Sequence, residues 1–442
     1  MRLLARHFRG ARAPALAAVL IKGLAAASAL LLQWLVARIF GAEGSGDFAL
    51  MSTTVLLVSM VALWGQDILA MRNIAGSLAA GSPDAAQGSA NAGVRMAIIG
   101  SAVATVTLLA IGWFYGVRFG AVAQTVLLCA IPASAALILG KTYSAIARAD
   151  GKVLRSQLQD GPITSSVALV VVVAIALTMA DPPFYSFAIA FTLAHCLGAI
   201  FAAHLGNSSR RGWPAASARP SLAPLFVAGV PIVVASSTSL VSDWSVIFAT
   251  TASFGSDAAG KVRIVTLFLS VTYLVAIAVD GILLPKFAAA MQVGDQDGVT
   301  ATYRAHILLS STLALPVTLF GFLFAPQFLA LFGPEFVDAA VALRVGAILQ
   351  FATILLGPAG GMLVMGHHER KTLIASAVGL LVLVLGCFVL IPRMGVNGAI
   401  VTSSLVHLSR RITEVALVRF SKDIPSIDFL AIWWPGLRRR AA

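Results

Sequence analysis

A few ionisable side chains interrupt stretches that are otherwise apolar: Lys22, Asp67, Asp243, Asp280, Arg344, Arg410, Arg411 and Glu414. A charge inside lipid costs roughly 2.5–3.5 kcal/mol on insertion scales, so each needs a partner, water or a substrate. At helical spacing Lys22 shares a face with Ala18, Ala26, Ala29 and Gln33. That small, polar face suits a water-filled cavity, and the alternative is a lysine snorkelling to the headgroups. Arg344 falls at one end of its apolar run, with Gln350 further along, and reads as a cavity or an interfacial arginine. Ser403, His407, Arg411 and Glu414 stand broadly on one helical face, with Arg410 four residues before Glu414. One glutamate neutralises one arginine, which leaves the other for a phosphate, another helix or an anionic substrate.

The acids have two readings. Asp67, Asp243, Asp280 and Glu414 either balance the basic residues or take up ions. Asp243 follows Ser236 and Ser239, and Asp280 shares a face with Thr266, Ser270 and Tyr273. His195 reads as a hydrogen-bonded core residue. The first apolar run holds a lysine and no acid, the reverse of what a cationic drug would require. A basic, wet interior favours an anion such as phosphate or pyrophosphate. Walker, HExxH and GxSxG motifs are lacking, so neither ATP hydrolysis nor those hydrolytic chemistries are indicated. Gly357-Pro-Ala-Gly-Gly361 reads as a kink or a close helix approach rather than a phosphate loop. No cofactor motif is present, and the ion expected at the acids is a proton or sodium.

The elements that must position these groups are transmembrane helices. Of 442 residues 59% are hydrophobic and 11% charged, with a mean hydropathy of +0.92; soluble domains are about 25% charged. Such a chain is neither a soluble enzyme nor a nucleic-acid-binding domain, and lipid must cover much of its surface. Twelve runs are long enough to span: 14–37, 48–70, 93–115, 121–146, 158–180, 184–206, 224–248, 264–286, 304–326, 338–364, 372–392 and 397–419. Period-2 alternation is missing, which excludes a β-barrel. With the N-terminus inside, 22 Lys and Arg fall on the cytoplasmic side and 5 outside. Both termini are therefore expected in the cytoplasm, and the net charge of +13 needs no nucleic acid. Cys129, Cys196 and Cys387 lie in apolar runs without metal-type spacing and read as small buried residues.

The sequence repeats. Gly41-Ala-Glu-Gly-Ser-Gly46 matches Gly255-Ser-Asp-Ala-Ala-Gly260 at an offset of 214, which also carries Gln66-Asp67 onto Asp280-Gly281 and Arg72 onto Lys286. An even number of helices per half makes the repeat parallel. The expected organisation is a basic N-terminus (1–13), an N-lobe of six helices (14–206), a cytoplasmic linker (207–223), a C-lobe of six helices (224–419) and a cytoplasmic tail (420–442). In the tail, Phe429–Pro435 with Trp433, Trp434 and Arg438–Arg440 reads as an interfacial anchor.

Three stretches carry a family resemblance. Residues 35–67 (LVARIFGAEGSGDFALMSTTVLLVSMVALWGQD) resemble the first hairpin of the Wzx-type polysaccharide flippases. These belong to the multidrug/oligosaccharidyl-lipid/polysaccharide exporter superfamily. Residues 283–345, with Pro285, Phe332-Gly333 and Phe336, and residues 357–405 are similar to later parts of that family. The resemblance implies an all-α polytopic membrane protein, a V-shaped, two-lobed, alternating-access transporter of the bacterial inner membrane. It would flip undecaprenyl-diphosphate-linked oligosaccharide for surface polysaccharides such as O-antigen or exopolysaccharide. A polymerase and a chain-length regulator of the same pathway would be its partners. Lys22, by the family's basic first helix, would line the cavity with Gln33, Arg344, Arg410 and Arg411. The rivals are a multidrug extruder of the same superfamily and a membrane-embedded polymerase or transferase. No loop is long enough for the paired catalytic residues of the last.

Overall fold

The computed structural model describes residues 2–179, 182–216, 220–292, 294–365 and 369–420; side chains before Ile21, and that of Lys22, lie outside that description. Among the described residues the chain is helical and holds no strand. It divides into two compact units, residues up to Trp244 and residues from Ser245 on.

The first unit contains α1 (Arg2–Leu63), α2 (Gln66–Ala79), α3 (Pro83–Phe119), α4 (Ala121–Ala149), α5 (Val153–Leu158), α6 (Thr164–Thr178) and α7 (Ser186–Arg210). The first turns of α8 (Ala223–Gln292) pack on it. The second unit holds the rest of α8, α9 (Gln296–Leu323), α10 (Ala325–Ala330), α11 (Ala340–Leu355), α12 (Ala359–Met365), α13 (Glu369–Leu385) and α14 (Ile391–Arg419). Among the described residues nine helical stretches are long and apolar enough to cross a membrane. Three of them, of 57, 45 and 50 residues, are far longer than one crossing needs and turn at a glycine with non-helical backbone: Gly41, Gly255 and Gly395. Divided there, the nine become the twelve segments expected, and the chain is a multi-pass membrane protein.

The turns differ from expectation in one respect. Loops were expected at 38–47 and 249–263, but helix runs through both up to a single glycine. Gly41 (φ 66°, ψ −164°) and Gly255 (φ 84°, ψ 175°) adopt a conformation that an L side chain resists. One residue therefore does the work of a loop. The span expected at 338–364 is also interrupted, because α11 stops at Leu355 and α12 starts at Ala359. Gly357 (φ 73°) lies between them against Tyr303 and Ile307, as the kink reading of that segment implied. π-helical turns at Gln159–Ile163 and Gly386–Leu390 were not anticipated; the first contains Pro162, which cannot donate to the ladder. Phe429–Pro435 and Arg438–Arg440 lie outside the described residues.

Small residues set the packing. In the first unit the second arm of α1 runs antiparallel to α3. Thr54 meets Tyr115, the Ala62 carbonyl lies against Gly100, and Ala70 faces Gly93. In turn, α3 is antiparallel to α4 through Gly112–Leu128 and Gly116–Gln124. Helices α4 and α7 are parallel: Thr192 Oγ1 donates to the Cys129 carbonyl (2.8 Å), and Gly140 touches Ala199.

The second unit repeats this plan. The later arm of α8 is antiparallel to α9 through Phe268–Gly321 and Phe287–Tyr303. Helix α11 with α12 runs parallel to α14 through Gly346–Ile400 and Gly360–Glu414. Adding 214 to the touching pair Ala62–Gly100 gives Ala276–Ala314, which share one core cluster with Ile354. The same offset carries buried Ala145 onto buried Ala359. Turn glycines pair at the same or nearly the same offset: Gly41 with Gly255 at 214, and Gly81 with Gly294 and Gly120 with Gly333 at 213, all at positive φ. Some large apolar side chains stand outside, as a lipid solvent allows: Val106, Trp113 and Val117 on α3, and Phe388 on the second π turn, are all more than two-thirds exposed.

Candidate functional site

A buried polar cluster lies in the second unit, on α8, α9, α12 and α14. Glu414 is 2% exposed. Its carboxylate takes Arg410 Nε at 3.3 Å on one oxygen and Arg411 Nη1 at 3.0 Å on the other. Helical spacing places both, since the arginines precede Glu414 by one turn. The carboxylate lies against the backbone of α12 at Gly360, where an added Cβ would stand 2.6 Å from a carboxylate oxygen. Glycine is thus the residue that lets this acid in.

Tyr303 of α9 is fully buried, donates its hydroxyl to the Leu356 carbonyl, and lies within electrostatic reach of Arg411 and Glu414. His407 sits within reach of Arg410 and Arg411. One turn along α9 from Tyr303, His306 Nε2 meets Asp280 Oδ1 at 2.7 Å. His306 is 3% exposed as a residue, and its Nδ1 is buried with no hydrogen-bond partner. Two guanidiniums on one carboxylate leave a formal charge of +1, and the acid–imidazole pair stands about one helical turn along α9 from Tyr303, which is within reach of that group. Such an arrangement can attract an anion and exchange a proton.

The structure brings together some of the residues singled out above and separates others. Arg410, Arg411 and Glu414 form one group, with both arginines on the acid where one had been expected. Asp280 meets His306 rather than a lysine or arginine. Sequence reading passed over His306, because a lone histidine in an apolar run signals little. The antiparallel register of the hairpin between α8 and α9 is what pairs it with Asp280.

Arg344 does not join the group. It sits near the start of α11, and its Nε donates to the Phe322 carbonyl at the end of α9 (3.1 Å). Gly360 lies sixteen residues further along the chain, beyond the helix break at Gly357. At Arg344's end of the unit, Lys261 bridges Asp257 (2.9 Å) and Asp338 (3.7 Å).

In the first unit Gln33 is 3% exposed, and its amide nitrogen has no partner. Lys22 lies on the same helix, but its side chain is outside the described residues. Asp67 is half-buried in the first turn of α2. Asp243 is exposed and engaged with a partner. His195 Nδ1 bonds the Phe191 carbonyl (2.8 Å), a satisfied core histidine.

No protein-family profile matches the chain, and no curated relative matches it. Solved structures do. A multidrug resistance MATE family transporter of the MOP superfamily, inward-facing, superposes with a TM-score of 0.73 at 16% identity, over 96% of this chain and 100% of that one. The lipid II flippase MurJ, in an inward closed conformation, gives 0.73 at 12% identity, over 95% and 90%. A MOP superfamily transporter from Pyrococcus furiosus gives 0.58 at 15% identity, over 95% and 94%. At these identities the likeness speaks for the fold: this chain is an all-α polytopic membrane protein with the fold of the MOP superfamily transporters.

Proposed function

We propose that the protein translocates undecaprenyl-diphosphate-linked oligosaccharide across the bacterial inner membrane for surface polysaccharide synthesis, by alternating access. The observation that carries this reading is the pair Arg410 and Arg411 on the single buried carboxylate of Glu414. A net positive charge held in an apolar bundle is stabilised by an anionic partner, and a diphosphate offers the oxygens that guanidinium binds best. The fold shared with a lipid II flippase supports a lipid-linked substrate. Lys22 and Gln33 on α1 and Arg344 on α11 are the further candidates for substrate contact. Asp67, Asp243, Asp280 and Glu414 are the candidates for coupling to a proton or sodium, or for balancing charge. A polymerase and a chain-length regulator are the partners this role would bring.

One observation favours a second reading, a multidrug extruder. The MATE transporter superposes as well as the flippase does, and Asp280 places an acid within a span. Depletion of the protein separates the two. The flippase reading requires lipid-linked oligosaccharide to accumulate on the cytoplasmic leaflet, out of reach of a membrane-impermeant probe, with Lys22→Ala and Arg411→Ala reproducing the block at normal protein levels. Unchanged export together with new drug sensitivity would establish the extruder instead.

A further inference from the structure

We propose that the Asp280–His306 pair is a proton-binding site whose loading strengthens binding of the lipid diphosphate by the second unit. This rests on the functional reading above. With its Nε2 donating to Asp280, neutral His306 keeps an unused lone pair on Nδ1, and that nitrogen is buried without a partner. Nδ1 is the atom left to receive a proton, and the pair is open to water on its Asp280 side, where the acid's side chain is 31% exposed and the imidazole's 4%.

The charge change is felt where the anion would bind. Tyr303, three residues before His306, lies within reach of Arg411 and Glu414. Other ionisable groups lie on the helices that form this cluster. Helix α8 adds exposed Lys286, and α9 adds exposed Arg304 and buried Tyr303. Helix α14 adds His407, Arg410, Arg411 and Glu414, and α12 (Ala359–Met365) has no ionisable residue. Asp280 with neutral His306 carries −1 and the Arg410–Arg411–Glu414 group +1. A proton on Nδ1 cancels the first and leaves the second to act on an anion. Linkage is reciprocal, so the proton tightens anion binding by the factor by which the anion tightens proton binding. The first unit has no such device at the matching positions. At the offset of 214 its residues are Gln66 and Ala92, neither of which titrates.

The test uses the full-length protein in lipid nanodiscs with undecaprenyl diphosphate as the probe. Its Kd is measured at pH 8 and pH 6 for wild type, His306→Gln and Asp280→Asn. Glutamine keeps a donor toward Asp280, and asparagine keeps the size of the acid. The expected result is that the ratio of affinities, pH 6 over pH 8, falls about tenfold in His306→Gln relative to wild type, a coupling within the usual range. Comparing proteins cancels the lipid's own titration. An unchanged ratio in both variants overturns the proposal. If wild type binds no lipid diphosphate at either pH, the functional reading fails. The proton site is then judged alone, by dye-monitored proton uptake between pH 8 and pH 6. His306→Gln taking up about one proton fewer upholds it, and equal uptake overturns it.

Discussion

At Trp64–Gly65 the second arm of α1 stops and α2 restarts, while 214 residues on, at Ala278–Val279, α8 continues unbroken. Trp64 is the described non-glycine residue at positive φ (54°), and its indole donates to the Phe226 carbonyl at 2.8 Å. Its ring and backbone pack on Gly229, so the break is where the first turns of α8 dock on the first unit. The next residue is Gln66 in one unit and Asp280 in the other. Gln66 is 1% exposed with an unpartnered amide nitrogen, whereas Asp280 holds His306. Two copies of one packing plan have therefore been given different tasks: the first spends this position on a backbone break and a neutral amide, the second on titratable chemistry.

Substitutions can break or sharpen that contrast. The largest effect belongs to the second unit. Glu414→Ala strands the Arg411 guanidinium, whose side chain is 16% exposed, while Arg410, at 35%, turns to solvent; it should cost about 3 kcal/mol, the low end for breaking a buried pair, read as a lower melting temperature in nanodiscs. A melting temperature like that of wild type would mean the arginines already reach water. Next come the shared turns. Gly41→Ala and Gly255→Ala each force an L residue into backbone that only glycine adopts without cost, about 1–3 kcal/mol. Similar losses in the two would support the repeat, and a loss confined to one would argue that the breaks are not equivalent.

Smaller still are the two phenols. Tyr115→Phe removes a 2.8 Å bond to Thr54, which also accepts from Trp244 Nε1, and Tyr303→Phe removes the bond to Leu356. Each should cost about 0.5–1.5 kcal/mol. Transport measured alongside should fall further for Tyr303→Phe, because only that hydroxyl adjoins the charged group. The smallest effect is expected at Gln66→Met. An amide nitrogen without a partner is replaced by an apolar chain of similar length, so stability should hold or rise slightly. A marked loss would reveal a partner for that amide.

Much of this was legible beforehand, for reasons that can be named. Lipid as solvent demands long apolar runs, so the twelve segments showed in composition alone. Gly41 and Gly255 showed because a glycine-rich motif recurs at a fixed offset. The charged face of α14 followed from helical spacing, which places Arg410 and Arg411 beside Glu414 whatever surrounds them. What stayed hidden depends on tertiary contact. His306 acquires meaning only from the register between α8 and α9. Arg344 looked like one more intramembrane cation until the end of α9 supplied a carbonyl for it. The π turns were hidden as well, because one extra residue in a helix leaves the hydropathy profile almost unchanged.

The most direct measurement is reconstituted translocation. Purified protein is placed in liposomes with undecaprenyl diphosphate bearing a fluorescent sugar, and the fraction shielded from an external quencher is followed over time. The account predicts rapid scrambling or directed movement of the labelled lipid by wild type, and loss of most of that rate in Arg411→Ala at equal incorporation. Failure of wild type to move this lipid, or full activity in Arg411→Ala, would contradict it.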